Sequence, residues 1–148
     1  MPDFERTRTA EILIVEDNPA DVRLMREAFR EVSGPHRLNV VETGRKALGF
    51  LRREAGFEES PRPDLVLLDL MLPDLHGLEV LAAIKEDPAL RRIPAVVFSS
   101  SQKREEVVQA YNLNANSYIA KPMDLAGFVR VVKGVDEFWL TMVKLAKD

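Results

Sequence analysis

A run of five residues at positions 65–69, Leu65-Val66-Leu67-Leu68-Asp69, decides the fold of this chain. Four consecutive apolar residues leave no polar face, which is typical of a strand covered by helices on both sides of a parallel sheet. The run stops at an acidic side chain. The stretch therefore predicts a buried central strand whose carboxyl end carries a carboxylate.

Four further short apolar runs flank this strand in sequence, at residues 12–15, 38–41, 95–98 and 117–120. Between the runs, apolar residues recur at helical spacing, for example at Ala20, Leu24 and Ala28. Strands that alternate with helices predict βαβ units and a parallel sheet. We expect a flavodoxin-like, doubly wound α/β domain with five strands in the order 2-1-3-4-5 and five helices, the last of them extended.

Composition limits the classes of function. The chain has 148 residues, of which 46% are hydrophobic and 30% charged, and this mix favours one globular domain over a disordered chain. A net charge of −3 argues against nucleic acid as a partner, and the absence of cysteine removes disulfides and thiolate metal sites. The apolar runs are too short for a bilayer, and no signal peptide is evident. We expect a cytoplasmic protein with no membrane partner.

Charged side chains follow three of the predicted strands. Glu16 and Asp17 follow the first strand, Asp69 the third and Lys121 the fifth. The carboxyl ends of parallel strands meet at the edge where the strand order reverses, so we expect the carboxylates to converge there. Their mutual repulsion favours a bound cation, and oxygen ligands without histidine or cysteine suit Mg²⁺, which commonly also binds phosphate oxygens.

The same residues suit phosphoryl chemistry. A carboxylate such as Asp69 can attack phosphorus and form an aspartyl phosphate. Lys121 would neutralise the phosphoryl oxygens, and the hydroxyl of Ser99, at the end of the fourth strand, would donate to one of them. Any one of these residues alone would be an ordinary turn former or helix cap. The matching set on successive strand ends favours a site.

Four motifs appear in a fixed order along the chain: Glu16-Asp17, residues 69–77 (Asp-Leu-Met-Leu-Pro-Asp-Leu-His-Gly), Ser99 and Lys121-Pro122. In this order and spacing the chain resembles the receiver domain of bacterial two-component response regulators, over about residues 11–135. The resemblance implies that Asp17, Asp69 and the backbone carbonyl of Met71 bind Mg²⁺. Glu16 completes the predicted metal set as the neighbouring acid.

The resemblance also implies the roles around the phosphate. Asp69 corresponds to the phosphoacceptor, Lys121 to the phosphate-binding lysine, Ser99 to the switch hydroxyl and Tyr118 to the switch aromatic. Met71 stands where many relatives carry Asn, which leaves open the lifetime of the acyl phosphate. Since only the carbonyl of Met71 is needed for the metal, Mg²⁺ binding is expected to survive.

These residues predict a stand-alone phosphoacceptor rather than an enzyme with an external substrate. We expect His36 to be a turn residue beside Pro35 and His76 an exposed loop residue near the site. The phosphohistidine is therefore expected on a partner histidine kinase, and the signal is expected to pass to a further protein by contact. Two alternatives remain: a dimeric adaptor that works without phosphorylation, and a small flavodoxin-like phosphoryl enzyme. The acidic residues 16–17 disfavour a flavodoxin because they would repel the phosphate of a flavin.

The C-terminal segment carries a second prediction. We divide the chain into an N-terminal extension (1–10), a receiver domain (11–135) and a C-terminal helical extension (136–148). Phe138, Trp139 and Met142 are expected to form a homodimer contact, unless the helix breaks at Gly134 or folds back on its own domain. The insertion at 54–63 and the tail motifs resemble single-domain regulators that are dimers and are paired with phytochrome-type histidine kinases.

Overall fold

A five-stranded parallel sheet forms the centre of the protein in a computed structural model, which describes residues 8–142 and side chains as far as Leu140. The sheet order is β2-β1-β3-β4-β5, as the sequence predicts. All four strand pairs are parallel. The strands are β1 (Ala10–Val15), β2 (His36–Val41), β3 (Leu65–Leu68), β4 (Ala95–Ser99) and β5 (Ser117–Ala120).

Within residues 8–142, five α-helices connect and follow the strands, and the last one continues into a π-helix. They are α1 (Pro19–Phe29), α2 (Gly44–Arg52), α3 (Gly77–Glu86), α4 (Arg104–Asn112), α5 (Leu125–Val135) and the π-helix Asp136–Met142. Side-chain oxygens of Asn18, Thr43 and Asp124 cap α1, α2 and α5 by accepting backbone N–H bonds. No helix within residues 8–142 is long and apolar enough to cross a membrane.

The strand β3 is buried along its whole length, as its apolar sequence predicts. Alternate side chains enter two separate cores: Val66 and Leu68 pack on the face covered by α2 and α3, whereas Leu65 and Leu67 pack on the face covered by α1 and α5. Helices therefore cover both faces of the sheet. The carboxyl ends of the strands lie outside these two helical layers, and this is where open parallel sheets bind their ligands.

Some boundaries differ from those the sequence suggests. The strand β2 begins at His36, a position that reads as a turn beside Pro35 in the sequence. Ala10 pairs with His36 and is buried, so the sheet begins one residue before the expected receiver boundary. His36 Nδ1 lies 3.0 Å from the Gly34 carbonyl and its ring stands 5.3 Å from that of Phe29. Pairing of His36 and Arg37 with Ala10 and Glu11 of β1 extends β2 beyond its apolar run.

The C-terminal helix passes through Gly134 without a break. Beyond Val135 the π-helix carries an extra residue per turn, which rotates its side chains relative to α5. Leu140 is buried in the core shared by α1 and α5, and Trp139 packs against that core. The tail thus folds back on its own domain at these two residues.

Candidate functional site

The carboxyl ends of β1 and β3 lie side by side, where the sequence predicts the site. Val15 pairs with Leu68 in the sheet, and the Asp69 N–H donates to the Val15 carbonyl at 3.0 Å. This pairing brings Glu16, Asp17 and Asp69 together. Each offers one carboxylate oxygen, and these oxygens all lie within 4.8 Å of one another.

The three acids differ in exposure. Glu16 and Asp69 are buried, and Asp17 is exposed at the mouth of the site. Burial raises the pKa of Glu16 to about 7, against the opposing effect of the Lys121 hydrogen bond and charge. A set made only of carboxylate oxygens, open to solvent on one side, fits a hard divalent cation.

Lys121 reaches the acids from the end of β5. Its Nζ lies 2.5 Å from Glu16 Oε1, 2.9 Å from Asp21 Oδ2 and 3.1 Å from Asp69 Oδ2. Burial alone would lower the pKa of Lys121, but hydrogen bonds to Glu16 and Asp21 outweigh it and raise the pKa above its ordinary value. The ammonium is therefore held charged beside the predicted phosphoacceptor.

The two oxygens of Asp69 have different partners. Oδ1 accepts from the N–H of Leu70 at 2.8 Å and from that of Met71 at 3.5 Å, whereas Oδ2 faces Lys121. The carboxylate is thus fixed in orientation from both sides. The side chain of Met71 is 62% exposed beside it, and metal binding by the Met71 carbonyl stays a prediction.

The loop after β3 is held close to the strand end by Gly77. Its N–H donates to the Leu70 carbonyl at 2.8 Å. A Cβ at this position would lie 2.3 Å from the carbonyl oxygen of Asp69 and 2.5 Å from Leu70 Cα. Because both neighbours are backbone atoms, only glycine permits this approach, which explains the last position of the motif 69–77.

The predicted switch residues lie on the neighbouring strands. Ser99 is fully buried at the end of β4, and its Oγ accepts from the Ser101 N–H at 3.1 Å. Tyr118, on β5, donates its hydroxyl to the Ser101 carbonyl at 2.7 Å. Burial raises the pKa of this hydroxyl. Ser99 and Tyr118 are therefore both bonded to the same segment.

The response regulator receiver domain family matches residues 12–133, which include each of these strand ends. The chain belongs to that family. A response regulator, Rcp1 of Synechocystis sp., is 42% identical over 134 residues, which cover 90% of this chain and 91% of that protein.

Solved structures extend the similarity to the whole domain. A crystal structure of the phosphorylated cyanobacterial phytochrome response regulator RcpA superposes on this receiver with a TM-score of 0.90 at 44% identity, covering 94% of this chain and 99% of the other. The Mn²⁺-bound form of Rcp1 gives a TM-score of 0.86 at 42% identity, with 92% and 98% covered.

Sequence reasoning missed two acids in this receiver. Asp21, in the first turn of α1, forms an ion pair with Lys121, the lysine that also binds the acids of the site. Asp74 accepts from the N–H groups of Gly44 and Arg45 at 2.8 and 3.0 Å, which ties the loop after β3 to α2. An acid in the first turn of a helix is common without any ligand. Asp74 belongs to the motif 69–77, but nothing in that motif indicates its contact with α2.

Two predictions about other side chains need correction. His76 is not simply an exposed loop residue, because it caps α3 and lies 3.0 Å from Glu106. Of the predicted interface residues, Phe138 is 54% exposed, but Trp139 is partly packed against the receiver core. The side chain of Met142 lies outside the described part of the chain.

Proposed function

We propose that this receiver is a stand-alone phosphoacceptor, which takes a phosphoryl group onto Asp69 from a phosphohistidine of a partner kinase and signals through protein contacts. One observation carries the proposal: the Asp69 carboxylate is held 3.1 Å from the buried ammonium of Lys121, within a cluster of further acids. Its chemistry is confined to its own phosphorylation and dephosphorylation, so it is not an enzyme with an external substrate.

The transfer makes one bond and breaks one. A carboxylate oxygen of Asp69 attacks phosphorus, the bond from phosphorus to the imidazole nitrogen breaks, and the electron pair leaves with the kinase histidine. Lys121 balances the charge of the phosphoryl oxygens, and the Ser99 hydroxyl would donate to one of them. Backbone bonds to Oδ1 hold the attacking carboxylate in place.

A divalent cation completes this proposal. Glu16, Asp17, Asp69 and the carbonyl of Met71 would hold Mg²⁺, which when bound draws negative charge from the phosphoryl oxygens. The closeness of the three carboxylate oxygens supports such an ion, as does the similarity to the Mn²⁺-bound form of Rcp1.

We infer a phytochrome-type histidine kinase as the partner, and a cytoplasmic location for this protein. The similarity to the phytochrome response regulator RcpA over nearly the whole chain supports the inferred kinase partner. The alternative of an adaptor that works without phosphorylation does not account for Lys121, since an adaptor has no need of a buried lysine facing three carboxylates.

Incubation with acetyl phosphate and Mg²⁺, followed by intact mass measurement, tests the phosphoacceptor. We expect the mass of one phosphoryl group to be added in Mg²⁺ and little to be added in the presence of a chelator. A protein that gains no mass in Mg²⁺, from either acetyl phosphate or a phosphorylated histidine kinase, contradicts the proposed function.

We also propose that the receiver forms a homodimer through its C-terminal helix. The exposed ring of Phe138 borders a groove of about 530 Å³ that is also lined by Ile119 and Val131. The hydroxyl of Ser117, in the same groove, is buried without a hydrogen-bond partner among the described residues. An exposed aromatic beside an apolar groove suits contact with a second copy.

Phe138→Glu is therefore expected to shift the protein from dimer to monomer in sedimentation velocity, while phosphorylation of Asp69 persists. Phe138 is a better target than Trp139, whose substitution would also disturb the core. Met123→Glu places the same charge on a side chain that is 97% exposed elsewhere and serves as the control. A wild-type protein that is monomeric in both phosphorylation states contradicts the dimer.

A further inference from the structure

A chain of hydrogen bonds links the loop after β3 to the loop after β4, beside the acidic cluster. His76 Nε2 lies 3.0 Å from Glu106 Oε2, and Oε1 of Glu106 accepts a hydrogen bond from Ser101 Oγ. We call His76, Glu106 and Ser101 the loop clamp. Its members come from three different segments of the chain.

The bonds of His76 define its tautomer. Nδ1 accepts from the Leu78 N–H at 3.1 Å and so caps α3. An accepting Nδ1 carries no proton, so the proton is on Nε2, which donates it to Glu106. The ring that holds Glu106 is therefore itself fixed to a helix.

The bonding of Glu106 differs from that of an ordinary helix cap. A Glu at the third position of a helix often bonds back to the backbone N–H of the N-cap residue. Here the N-cap is Lys103, whose N–H lies 3.4 Å from Ser101 Oγ instead. The hydrogen bond from Ser101, with that from His76, holds the pKa of Glu106 below its ordinary value and keeps it a charged acceptor.

Ser101 connects the loop clamp to both switch residues. Its N–H donates to Ser99 Oγ at 3.1 Å, and its carbonyl accepts from the Tyr118 hydroxyl at 2.7 Å. Its own hydroxyl is the atom that Glu106 holds. A displacement of this one residue would alter the surroundings of Ser99 and Tyr118 together.

We propose that His76 and Glu106 are positioning residues for the switch, which hold Ser101 where its carbonyl binds Tyr118 and its N–H orients Ser99. The inference rests on the proposed function, in which Asp69 takes a phosphoryl group, and on the predicted switch roles of Ser99 and Tyr118. Neither the Glu106 carboxylate nor the His76 imidazole touches the reacting atoms. Without His76 or Glu106, Ser101 is no longer held in place. The Tyr118 hydroxyl then becomes more exposed to water, and the Ser101 N–H orients the Ser99 hydroxyl less often.

Fluorine NMR of the full chain labelled with fluorotyrosine tests the effect on Tyr118. The chain has two tyrosines, and a Tyr111→Phe sample assigns their signals. Glu106→Ala and His76→Asn are each expected to increase the H₂O-to-D₂O shift of the Tyr118 signal, which reports contact with water. Asn can still cap α3 but is too short to reach Glu106. In the double variant of His76 and Glu106, the H₂O-to-D₂O shift of the Tyr118 signal should be no larger than in the more affected single variant, because the two residues act in series.

Glu105→Ala is the matched control, because Glu105 is an exposed acid in the same turn of α4. Its Tyr118 signal should match the wild type. Ser101→Ala, which removes only the hydroxyl, replaces Glu106→Ala if thermal unfolding shows that the latter does not fold. An unchanged Tyr118 signal in a folded clamp variant, or an equal shift in Glu105→Ala, overturns the proposal.

The rate of phosphorylation by acetyl phosphate gives a second readout. We expect clamp variants to accept phosphate about fivefold more slowly, the change that loss of one ordinary hydrogen bond produces. If these variants are phosphorylated at the wild-type rate, the proposal that the loop clamp orients Ser99 is overturned. If the wild type itself takes no phosphate, the proposed function is wrong, and the NMR measurement, which uses no donor, still decides the clamp.

Discussion

Asp69→Asn is expected to leave the receiver unable to accept a phosphoryl group while its fold is retained. The amide has the same shape as the carboxylate but lacks the anionic oxygen that attacks phosphorus. Loss of the ion pair with Lys121 is offset by relief of repulsion with the nearby acids. We expect no gain in intact mass, and a free energy of unfolding within about 1 kcal/mol of the wild type.

Asp21→Asn is the matched control for this substitution. Asp21 binds the same Nζ of Lys121, at 2.9 Å, but from helix α1 rather than from a strand end. It should lose one ion pair and keep phosphorylation. The assignment of Asp69 is contradicted if its Asn variant gains phosphate at the wild-type rate, or if the Asp21 variant alone loses it.

Lys121→Met is expected to have the largest effect on stability. The substitution keeps the apolar stem of the side chain but leaves Glu16, Asp21 and Asp69 without their shared cation. Carboxylates at a buried site that lose their partner are strongly destabilising. With a chelator present, we expect the free energy of unfolding to fall by about 3 kcal/mol, measured by urea denaturation.

Added Mg²⁺ should restore much of this loss. An ion that binds only the folded state stabilises it, and carboxylates no longer neutralised by Lys121 should bind Mg²⁺ more tightly than in the wild type. Lys133→Met, on the exposed side of α5, is the control and should respond to Mg²⁺ as the wild type does. A Lys121 variant whose stability is the same in Mg²⁺ and chelator argues against a cation among these acids.

The strands could be predicted because their signal is local, and their order agrees with the doubly wound arrangement expected for alternating strands and helices. Residues 65–68 are apolar throughout and buried throughout, and the parallel topology then places residues 16, 17 and 69 at one edge. Lys121 was predicted at the same edge for the same reason. The central part of the site therefore follows from strand ends and the rule for parallel sheets.

The partners of these residues could not be predicted, because they depend on which way side chains turn. Asp21 looks in sequence like any acid in a first helical turn, and only the packing of α1 brings it to Lys121. The pairing of His76 with Glu106 joins residues 30 positions apart. Such contacts leave no periodic pattern in the sequence.

The tail was predicted only in part. Its apolar pattern correctly indicated a helix continuing past Gly134. The π-helix, however, changes which side chains face the domain, so Leu140, five residues after Val135, is buried. Hydrophobic spacing analysed at the period of a regular α-helix does not reveal that rotation.

Mapping the phosphorylated residue tests the central claim most directly. The protein is phosphorylated in Mg²⁺, treated with borohydride, which reduces an aspartyl phosphate to homoserine, and analysed by tandem mass spectrometry of its peptides. We predict homoserine at position 69 and none at positions 17 or 21. Homoserine at another acid, or a phosphoryl group that survives as a phosphohistidine or phosphoserine, would contradict the assignment of Asp69 as the phosphoacceptor.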